Sequence, residues 1–505
     1  MKFNKKIIKW FAIILALIII LAIIITIAIN NDFDRIIQKA SKNLTEYSII
    51  ADYDEVNKSI SASETISYLN VYHEELNVVS FHLYPVAFKE DVKTVPYTAL
   101  TEARCFPNGK NYGDYKILGV NVDGQAVVPQ YLGEDREILS VGLTNTLAEN
   151  KRVMIKIDFL LTLPNCTHRL GWFNDNVNLG NWFPIACEYN GGGNWDITPY
   201  YATGDPFNST IANFNVSFSA PLKYTIVGSG ENISVVEDND KKIAKFEGKA
   251  IRDFAVVLTA DSDLYSDSLT NTRVNYFSNE DKDVAAKHLK LALEAIFKFN
   301  DWFGDYPYRT LNIVSTPFMQ GGMEYPGLIY VSNLITNEDE CQKVIVHEIA
   351  HQWWYGVVGN NQVVDAWFDE GLAEYSTFLF FDKLPHYGIN LATQIEDALA
   401  GYNLYLEVFN TISISVNRKM NLPVNEYQSE YEYTYMVYVK GALMFNEVYQ
   451  ELGEKDFFKG IKKLYKTHKF SKVTKSEVVN AFGSKKDKVD QILTAYINGV
   501  SKIDV

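Results

Sequence analysis

A pair of histidines four residues apart constrains this chain more than any other feature of its sequence. His347 and His351 enclose Glu348 in the pattern HExxH. On a helix, residues four apart share one face, so both imidazoles can reach the same metal ion. Glu348 lies about 100° round the helix from His347, and is therefore free to hold a water molecule instead of the metal. The pattern predicts a zinc site on a helix that begins near Asn337 and ends near Gly356.

A catalytic zinc ion needs a third protein ligand and one open position. Glu370 can supply the ligand, because it follows His351 after eighteen residues and lies in 365–375, the predicted start of a second helix. A turn through 356–362 would bring the second helix back against the first. A solvated helix face is the alternative interpretation of a lone HExxH motif. Here unliganded histidines would be costly to bury, because the neighbouring residues are apolar. These neighbours are Val344, Ile345, Val346, Trp353 and Trp354.

The N-terminus carries a second strong pattern. Residues 10–29 contain no charged side chain and follow four lysines. Twenty residues of helix span about 30 Å, the thickness of a bilayer core, and preceding lysines favour a cytoplasmic N-terminus. We therefore expect a single-pass membrane anchor at 10–29, in contact with the lipid bilayer, with everything after it outside the cell. A cleaved signal peptide, and hence secretion, is the alternative.

Composition excludes several classes of protein. The 505 residues are 47% hydrophobic and 22% charged, which rules out a disordered or fibrous chain. The formal net charge of −15 is a poor match for nucleic acid, so no nucleic-acid partner is expected. The four cysteines show no CxxC spacing, which argues against a cysteine zinc ribbon. Cys166 and Cys187 are close enough in sequence to form a disulfide outside the cell, although two free thiols fit equally well.

The pattern of the chain changes near residue 265. Short β-branched runs interrupted by Gly, Asn and Pro dominate about 50–262 and predict strands, whereas long helical patterns begin at 283–303. The fold class we predict is a multidomain α+β protein. Its parts are a cytoplasmic tip and anchor (1–30), a β-sandwich-like domain (31–265) and a mainly helical domain with the zinc motif (266–505). The aromatic, glycine-rich stretch 180–207 is a long connection of the kind that often carries function.

Four ordered motifs resemble those of the M1 family of zinc aminopeptidases, which are gluzincins. They are HEIAHQWW at 347–354, WFDEG at 367–371, GGMEY at 321–325, which is similar to the exopeptidase motif usually written GAMEN, and YVKG at 438–441. The similarity is densest over about 310–445. It implies an N-terminal β-domain, a thermolysin-like catalytic domain and one Zn²⁺ per chain. The resemblance is to a short member, because few residues follow the zinc motifs.

The resemblance also implies roles for individual residues. Zinc would be held by His347, His351 and Glu370, and its bound water would have a pKa of about 7. Glu348 would take a proton from that water and pass it to the leaving amine. The hydroxyl of Tyr438, in a segment crowded with other tyrosines, would stabilise the oxyanion together with the metal. The substrate would contact the GGMEY motif through Gly321, Gly322, Met323 and Glu324, the last pairing with its free α-ammonium.

Two departures from the family pattern concern recognition of that amine. The terminal Asn of the exopeptidase motif is Tyr325 here. The family usually adds a Glu or Gln from the β-domain, and 171–176 offers only Asn174, Asp175 and Asn176. Glu374, Lys440 and Asp365 either orient the groups of the site or have ordinary surface and helix-cap roles.

We therefore predict a zinc aminopeptidase that acts on extracellular peptides. An endopeptidase or a dipeptide-releasing peptidase is the alternative among enzymes, because the amine site looks incomplete. A membrane-anchored binding protein that keeps the peptidase fold without activity is the alternative from another class.

Overall fold

The protein is described here from a computed structural model, which covers residues 34–412 and 416–504. The strands, in chain order, are β1 Glu46–Asp54, β2 Ser59–Leu69, β3 Leu76–His82, β4 Asp114–Val122, β5 Gln125–Ala126, β6 Gln130–Leu132, β7 Ile138–Leu147, β8 Arg152–Thr162, β9 Leu170–Phe173, β10 Asn176–Leu179, β11 Ile185–Ala186, β12 Tyr189–Gly191, β13 Asn194–Trp195, β14 Ala212–Pro221, β15 Thr225–Gly228, β16 Glu231–Asp238, β17 Lys241–Ile251, β18 Val256–Thr259, β19 Asp263–Leu269, β20 Thr272–Ser278, β21 Thr310–Thr316, β22 Gly322–Met323, β23 Leu328–Ser332, β24 Val358–Gly359 and β25 Ser471–Lys472.

Most helices follow β20. In chain order the helices are α1 Glu102–Cys105, which precedes β4, and then α2 Lys282–Phe303, α3 Glu338–His351, α4 Ala366–Lys383, α5 Leu391–Ile412, α6 Glu430–Tyr433, α7 Lys440–Leu452, α8 Glu454–His468, α9 Lys475–Ala481 and α10 Lys486–Ile497. A π-helical segment, Thr434–Val439, joins α6 to α7. Short 3-10 turns lie at Tyr84–Phe88, Pro385–Tyr387, Val424–Glu426 and Gly483–Lys485.

The N-terminal half is built from strands. An eight-stranded sheet has the order β16-β17-β14-β1-β2-β8-β4-β5, and two four-stranded sheets have the orders β15-β18-β10-β9 and β11-β3-β7-β6. In β1, β8 and β14 buried residues alternate with more exposed ones, because successive side chains point to opposite faces of a sheet. The predicted strand-rich region is confirmed.

The C-terminal half contains a five-stranded sheet of order β19-β20-β21-β23-β22, with β20, β21 and β23 parallel. Helices α2, α3 and α4 pack around a second core, which includes Ile313, Ile349 and Phe380. The predicted boundary at 265/266 falls within β19, and the division into domains stays a prediction. The core of the N-terminal half continues into the sheet through Val314, Met323 and Tyr330, so the two halves share buried apolar contacts.

The structure bears on two expectations from the sequence, the membrane anchoring and the disulfide. The prediction of a single-pass membrane protein with an extracellular catalytic domain is contradicted: across 34–412 and 416–504, none of the helices is long and apolar enough to cross a bilayer. The span predicted at 10–29 itself lies outside the described residues. Cys166 and Cys187 are both free and buried, so the disulfide considered from their spacing is absent.

Candidate metal centre and active site

Helix α3, which carries the two histidines, begins as the sequence predicts. The side chain of Asn337 caps it by accepting a hydrogen bond from the backbone of Glu340, at 3.0 Å. Glu338, Asp339 and Glu340 occupy the first turn, where the helix dipole favours acidic residues. The helix ends at His351, and the chain then turns through Tyr355, whose φ of +104° is unusual for a residue with a side chain.

Three side chains from α3 and α4 converge on one point. The Nε2 atoms of His347 and His351 are 3.0 Å apart, and they lie 3.3 Å and 3.1 Å from Oε2 of Glu370. All three residues are buried. Ligand atoms about 2.0–2.1 Å from a tetrahedral zinc ion lie about 3.3 Å from each other. The spacing of the three atoms therefore fits zinc.

The Nδ1 atoms of His347 and His351, which face away from the common point, both have hydrogen-bond partners. Nδ1 of His351 is 3.0 Å from the carbonyl oxygen of Trp354, which can only accept a hydrogen bond. Nδ1 of His347 is 3.0 Å from Oε2 of Glu374. Each ring therefore donates outward from Nδ1 and leaves the lone pair of Nε2 facing the common point. Glu374 orients a predicted ligand, which is one of the two roles left open for it.

The cluster attracts positive charge. Burial lowers the pKa of His347, but hydrogen bonds to Glu370 and Glu374 raise it more, to about 10. Burial is likewise outweighed for His351, whose pKa is raised well above its ordinary value, chiefly by Glu370. Five buried carboxyl groups surround this point, on Asp205, Glu324, Glu348, Asp369 and Glu370. A bound divalent cation would balance part of this negative charge.

Glu348 lies beside the cluster in a space that a glycine leaves open. A β-carbon built on Gly322 would stand only 2.2 Å from Oε1 of Glu348. Oε2 of Glu348 is buried and has no hydrogen-bond partner among the described residues. Burial raises the pKa of this carboxyl group to about 8. A buried carboxylate with an unused oxygen can hold and accept protons from a water molecule.

Tyr438 reaches the cluster from the π-helical segment. Its ring stacks on that of His347, with centroids 5.7 Å apart and planes 17° apart. Burial, and then the charge of Glu370, raise the pKa of its hydroxyl well above the usual value of 10. The hydroxyl therefore remains a hydrogen-bond donor at neutral pH. Tyr438 lies in neither α6 nor α7, and the sequence gives no signal for a π-helix.

Glu324 is buried at the end of a chain of hydrogen bonds. Nε2 of Gln362 donates to Oε1 of Glu324 and to Oδ2 of Asp369, each at 2.8 Å. Burial, followed by the charge of Asp205, raises the pKa of Glu324 to about 7. Sequence reasoning missed Gln362 and Asp369, although Asp369 directly precedes the predicted ligand Glu370.

Asp205 is the most informative residue that sequence reasoning missed. One carboxylate oxygen each of Asp205, Glu324 and Glu370 lie within 4.8 Å of one another. Arg169 holds Asp205 in place by donating from Nη1 to Oδ1, at 2.6 Å. Asp205 belongs to the predicted functional stretch 180–207, but no periodic pattern singled it out, because the chain is irregular there.

Of the remaining predicted residues, some line the cleft and others lie away from it. Gly321, Gly322 and Met323 line the cleft, and Gly321 has a φ of +61°. Tyr325 points away from the cleft, and its hydroxyl donates a hydrogen bond to Asn181 at 2.9 Å. The residue that departs from the GAMEN motif therefore connects this loop to the N-terminal half. Asp365 accepts from the indole of Trp367, at 2.9 Å, at the start of α4. Lys440 is buried away from the cleft against Asp504.

The residues of the candidate site line one cleft with a volume of about 360 Å³, and Tyr325, Asp365 and Lys440 lie outside it. It contains the three predicted ligands, Glu348, Tyr438, Glu324 and Asp205. Exposed charges stand at its mouth on Glu340 and Lys343. The cleft is open to a ligand and closed at its base by buried acids.

Comparison with known proteins identifies a domain in the part of the chain that carries α3 and α4. Residues 288–496 match the Peptidase family M1 domain. The chain is 25% identical to Tricorn protease-interacting factor F2 of Thermoplasma volcanium over 300 residues, which are 57% of this chain and 37% of that protein. It is 24% identical to Aminopeptidase 2 of Candida albicans over 288 residues, 54% of this chain and 30% of that one. The chain thus spans well under half the length of these relatives.

Solved structures of similar fold cover almost the whole chain. The M1 zinc metallopeptidase of Deinococcus radiodurans superposes with a TM-score of 0.61 and 16% identity, over 91% of this chain and 94% of that one. A mutant of that protein, solved with a Tyr-Ser-Ala substrate, gives a TM-score of 0.62 with 16% identity and the same coverage. At this identity the likeness shows a common fold.

The chain has the fold of the solved M1 zinc metallopeptidase of Deinococcus radiodurans, and His347, His351 and Glu370 form a candidate metal site within that fold. Residues 288–496 match the Peptidase family M1 domain, so this part of the chain is identified as an M1 domain.

Proposed function

We propose that this protein is a zinc aminopeptidase that removes N-terminal residues from peptides. The observation that carries the proposal is the convergence of His347, His351 and Glu370 within 3.3 Å, with the free oxygen of Glu348 beside them. The names of several relatives, such as Aminopeptidase 2 of Candida albicans, support the same activity.

Zinc bound to the two imidazoles and Glu370 would supply a Lewis acid, which polarises a carbonyl group and lowers the pKa of water. Glu348 would carry out the proton transfers of the reaction. Its carboxylate would accept a proton from the attacking water and return it to the nitrogen of the leaving peptide. The buried position beside Gly322 supports this role, because it holds the carboxylate close to the cleft and away from bulk water.

Tyr438 would donate a hydrogen bond to the carbonyl oxygen of the scissile bond. As that oxygen becomes negative, a donor already in place stabilises the transition state without reorganising. Its stacking on His347 supports this role, since it brings the hydroxyl to the same end of the cleft as the predicted ligands.

Glu324 and Asp205 would bind the α-ammonium group of the substrate. Two carboxylates with oxygens within 4.8 Å of each other suit a cation with three N–H donors, and charge-assisted hydrogen bonds are strong. Asp205 comes from the N-terminal half, and it would take the role for which 171–176 offers no Glu or Gln. For this reason we favour an aminopeptidase over an endopeptidase.

We assign residues 31–265 to an N-terminal β-domain of the sandwich type and 266–505 to a thermolysin-like peptidase domain. The sheets support the assignment, because β1–β18 pair only among themselves, and β19, which contains the division, pairs with β20 in the five-stranded sheet. So does the match of 288–496 to the M1 domain.

The proposal is tested with a panel of aminoacyl fluorogenic substrates and one peptide in free and N-acetylated form. We expect hydrolysis of the free peptide, loss of hydrolysis after chelation, recovery with added zinc, and no hydrolysis of the acetylated peptide. The Glu348→Gln variant should bind one zinc ion and lose activity by about 100-fold or more, as for removal of a general base. Equal cleavage of both peptides would instead identify an endopeptidase. Absence of bound metal and of activity would contradict the proposal altogether.

A further inference from the structure

The segment that carries Tyr438 needs support from outside the helix. It lies in Thr434–Val439, where the backbone is π-helical, and π-helical turns are rare and occur mainly at functional sites. On one side Tyr435 stacks on Tyr405 of α5, with ring centroids 4.9 Å apart. The other support begins at Lys440, the first residue of α7, two positions after Tyr438.

Lys440 forms a fully buried ion pair. Its Nζ atom is 2.7 Å from Oδ1 of Asp504, and the two side chains are 0% and 1% exposed. The same Nζ donates to the carbonyl oxygen of Arg418, at 2.6 Å. An ammonium group in such a place is stable only with its partners, and removing one of them leaves a buried charge unpaired.

Asp504 is itself held from several directions. The hydroxyl of Tyr402, on α5, donates to Oδ1 at 2.5 Å. The backbone and the hydroxyl of Ser501 donate to Oδ2 at 2.9 Å and 2.7 Å. The guanidinium group of Arg418 also contacts the carbonyl oxygen of Asp504. Asp504 thus joins α5, the 416–420 loop and the start of α7 at one point.

We propose that Asp504 is a positioning residue for Tyr438: through Lys440 it fixes the π-helical segment, so that the tyrosine hydroxyl faces the metal cluster. Asp504 lies outside the cleft and outside the 288–496 match, and it touches no predicted ligand. Its effect on turnover rests on the proposed function, whereas its effect on the segment does not.

The test compares Asp504→Asn with Glu188→Gln. Glu188 pairs with Lys472 at another partly buried site, away from Tyr438, and so controls for general loss of an ion pair. Tyr402→Phe removes one hydrogen bond to Asp504 without leaving a charge unpaired, and it serves as the milder variant if Asp504→Asn folds poorly. Zinc content is measured for each protein.

The first measurement needs no enzymatic activity. We expect Asp504→Asn to speed hydrogen exchange in peptides covering 434–440, to leave 341–351 unchanged, and Glu188→Gln to leave 434–440 unchanged. Unaltered exchange at 434–440 in both Asp504→Asn and Tyr402→Phe would overturn the proposal, whether or not the protein is a peptidase.

The second measurement is a double-mutant cycle on kcat. Asp504→Asn should lower kcat by about tenfold with KM little changed, since small misplacements of a catalytic group can cost about 100-fold. In a Tyr438→Phe background, which has no hydroxyl to misplace, Asp504→Asn should change kcat less than about twofold. An equal loss in both backgrounds would show that Asp504 acts through something other than Tyr438, and would overturn the inference.

Discussion

At the scale of single residues, the fit between Gly322 and Glu348 is the contact that the proposed chemistry depends on most. We expect Gly322→Ala to lower kcat by about tenfold or more, because the added methyl group would displace the Glu348 carboxylate from the cleft. Zinc content should remain at one ion per chain, since the three atoms nearest to the added methyl group all belong to Glu348, which is not a predicted ligand. The measurements are steady-state kinetics and metal analysis.

Gly142→Ala is the matched control for that prediction. Gly142 lies in β7, and a β-carbon built there would meet no atom within 4 Å. Its activity should equal that of the parent protein. Full activity in Gly322→Ala would mean that Glu348 can act from another position, and the proposed placement of the base would be wrong.

Glu64, in the core of the N-terminal half, gives a prediction about pH. Both of its carboxyl oxygens are buried and unpartnered among the described residues, and burial raises its pKa well above the ordinary value. The folded protein therefore keeps a proton that the unfolded chain releases above about pH 4.3. The free energy of unfolding should fall by about 1.4 kcal/mol for each pH unit above that value, until the raised pKa is reached.

Glu64→Gln cannot titrate, so its stability advantage over the parent should grow with pH at the same slope. Urea unfolding at several pH values measures the difference. Glu237→Gln, on the exposed edge strand β16, controls for loss of a carboxylate in the same sheet. Parallel stability curves for Glu64→Gln and the parent would show that Glu64 is ionised in the folded protein.

At the scale of elements, two glycines of the sequence motifs determine how closely α4 and α7 approach. A β-carbon on Gly441 would lie 2.7 Å from Cα of Gly371, and one on Gly371 would lie 2.8 Å from Cα of Gly441. Replacing Gly by Ala within a helix usually stabilises by about 0.5–1 kcal/mol. Here we expect Gly441→Ala to destabilise by about 1–3 kcal/mol, because it forces the two backbones apart.

The same change should lower activity, since α4 carries Glu370 and the segment before α7 carries Tyr438. Thermal unfolding and kcat are the measurements. Gly142→Ala in β7 again serves as the control, because a β-carbon built there would meet no atom within 4 Å. If Gly441→Ala were as stable as the parent, the close approach of α4 and α7 would not be required.

The sequence predicted elements whose causes are local. Spacing placed His347, His351 and Glu348 on one helix, and the Asn337 cap with its following acids marked where that helix begins. Asp205 could not be found in this way, because it lies in an irregular segment and reaches the cleft only through tertiary contacts such as the pair with Arg169. The π-helical turn at Tyr438 could not be predicted from the sequence either, because tertiary packing against α5 and α3 holds it.

At the scale of the whole molecule, buried contacts join the two halves. Thr316 donates to Asn178 at 2.8 Å, Asn312 donates to the carbonyl oxygen of Gly228 at 2.9 Å, and Arg252 donates to that of Tyr355 at 2.7 Å. The apolar core of the N-terminal half continues through Met323 and Tyr330. These contacts span the proposed domain division, so the two halves should unfold together.

Zinc removal tests this coupling. A ligand that binds only the folded state stabilises it by about 2.7 kcal/mol at a hundredfold excess over its dissociation constant. We expect one calorimetric transition that moves to lower temperature after chelation, with faster hydrogen exchange in strands β2 and β8 as well as in α3. His347→Ala should show no shift with zinc, because it lacks a predicted ligand. Two separate transitions, of which only one responds to zinc, would mean that the contacts across the division are too weak to couple the halves, and that stabilisation by the metal stays within the half that binds it.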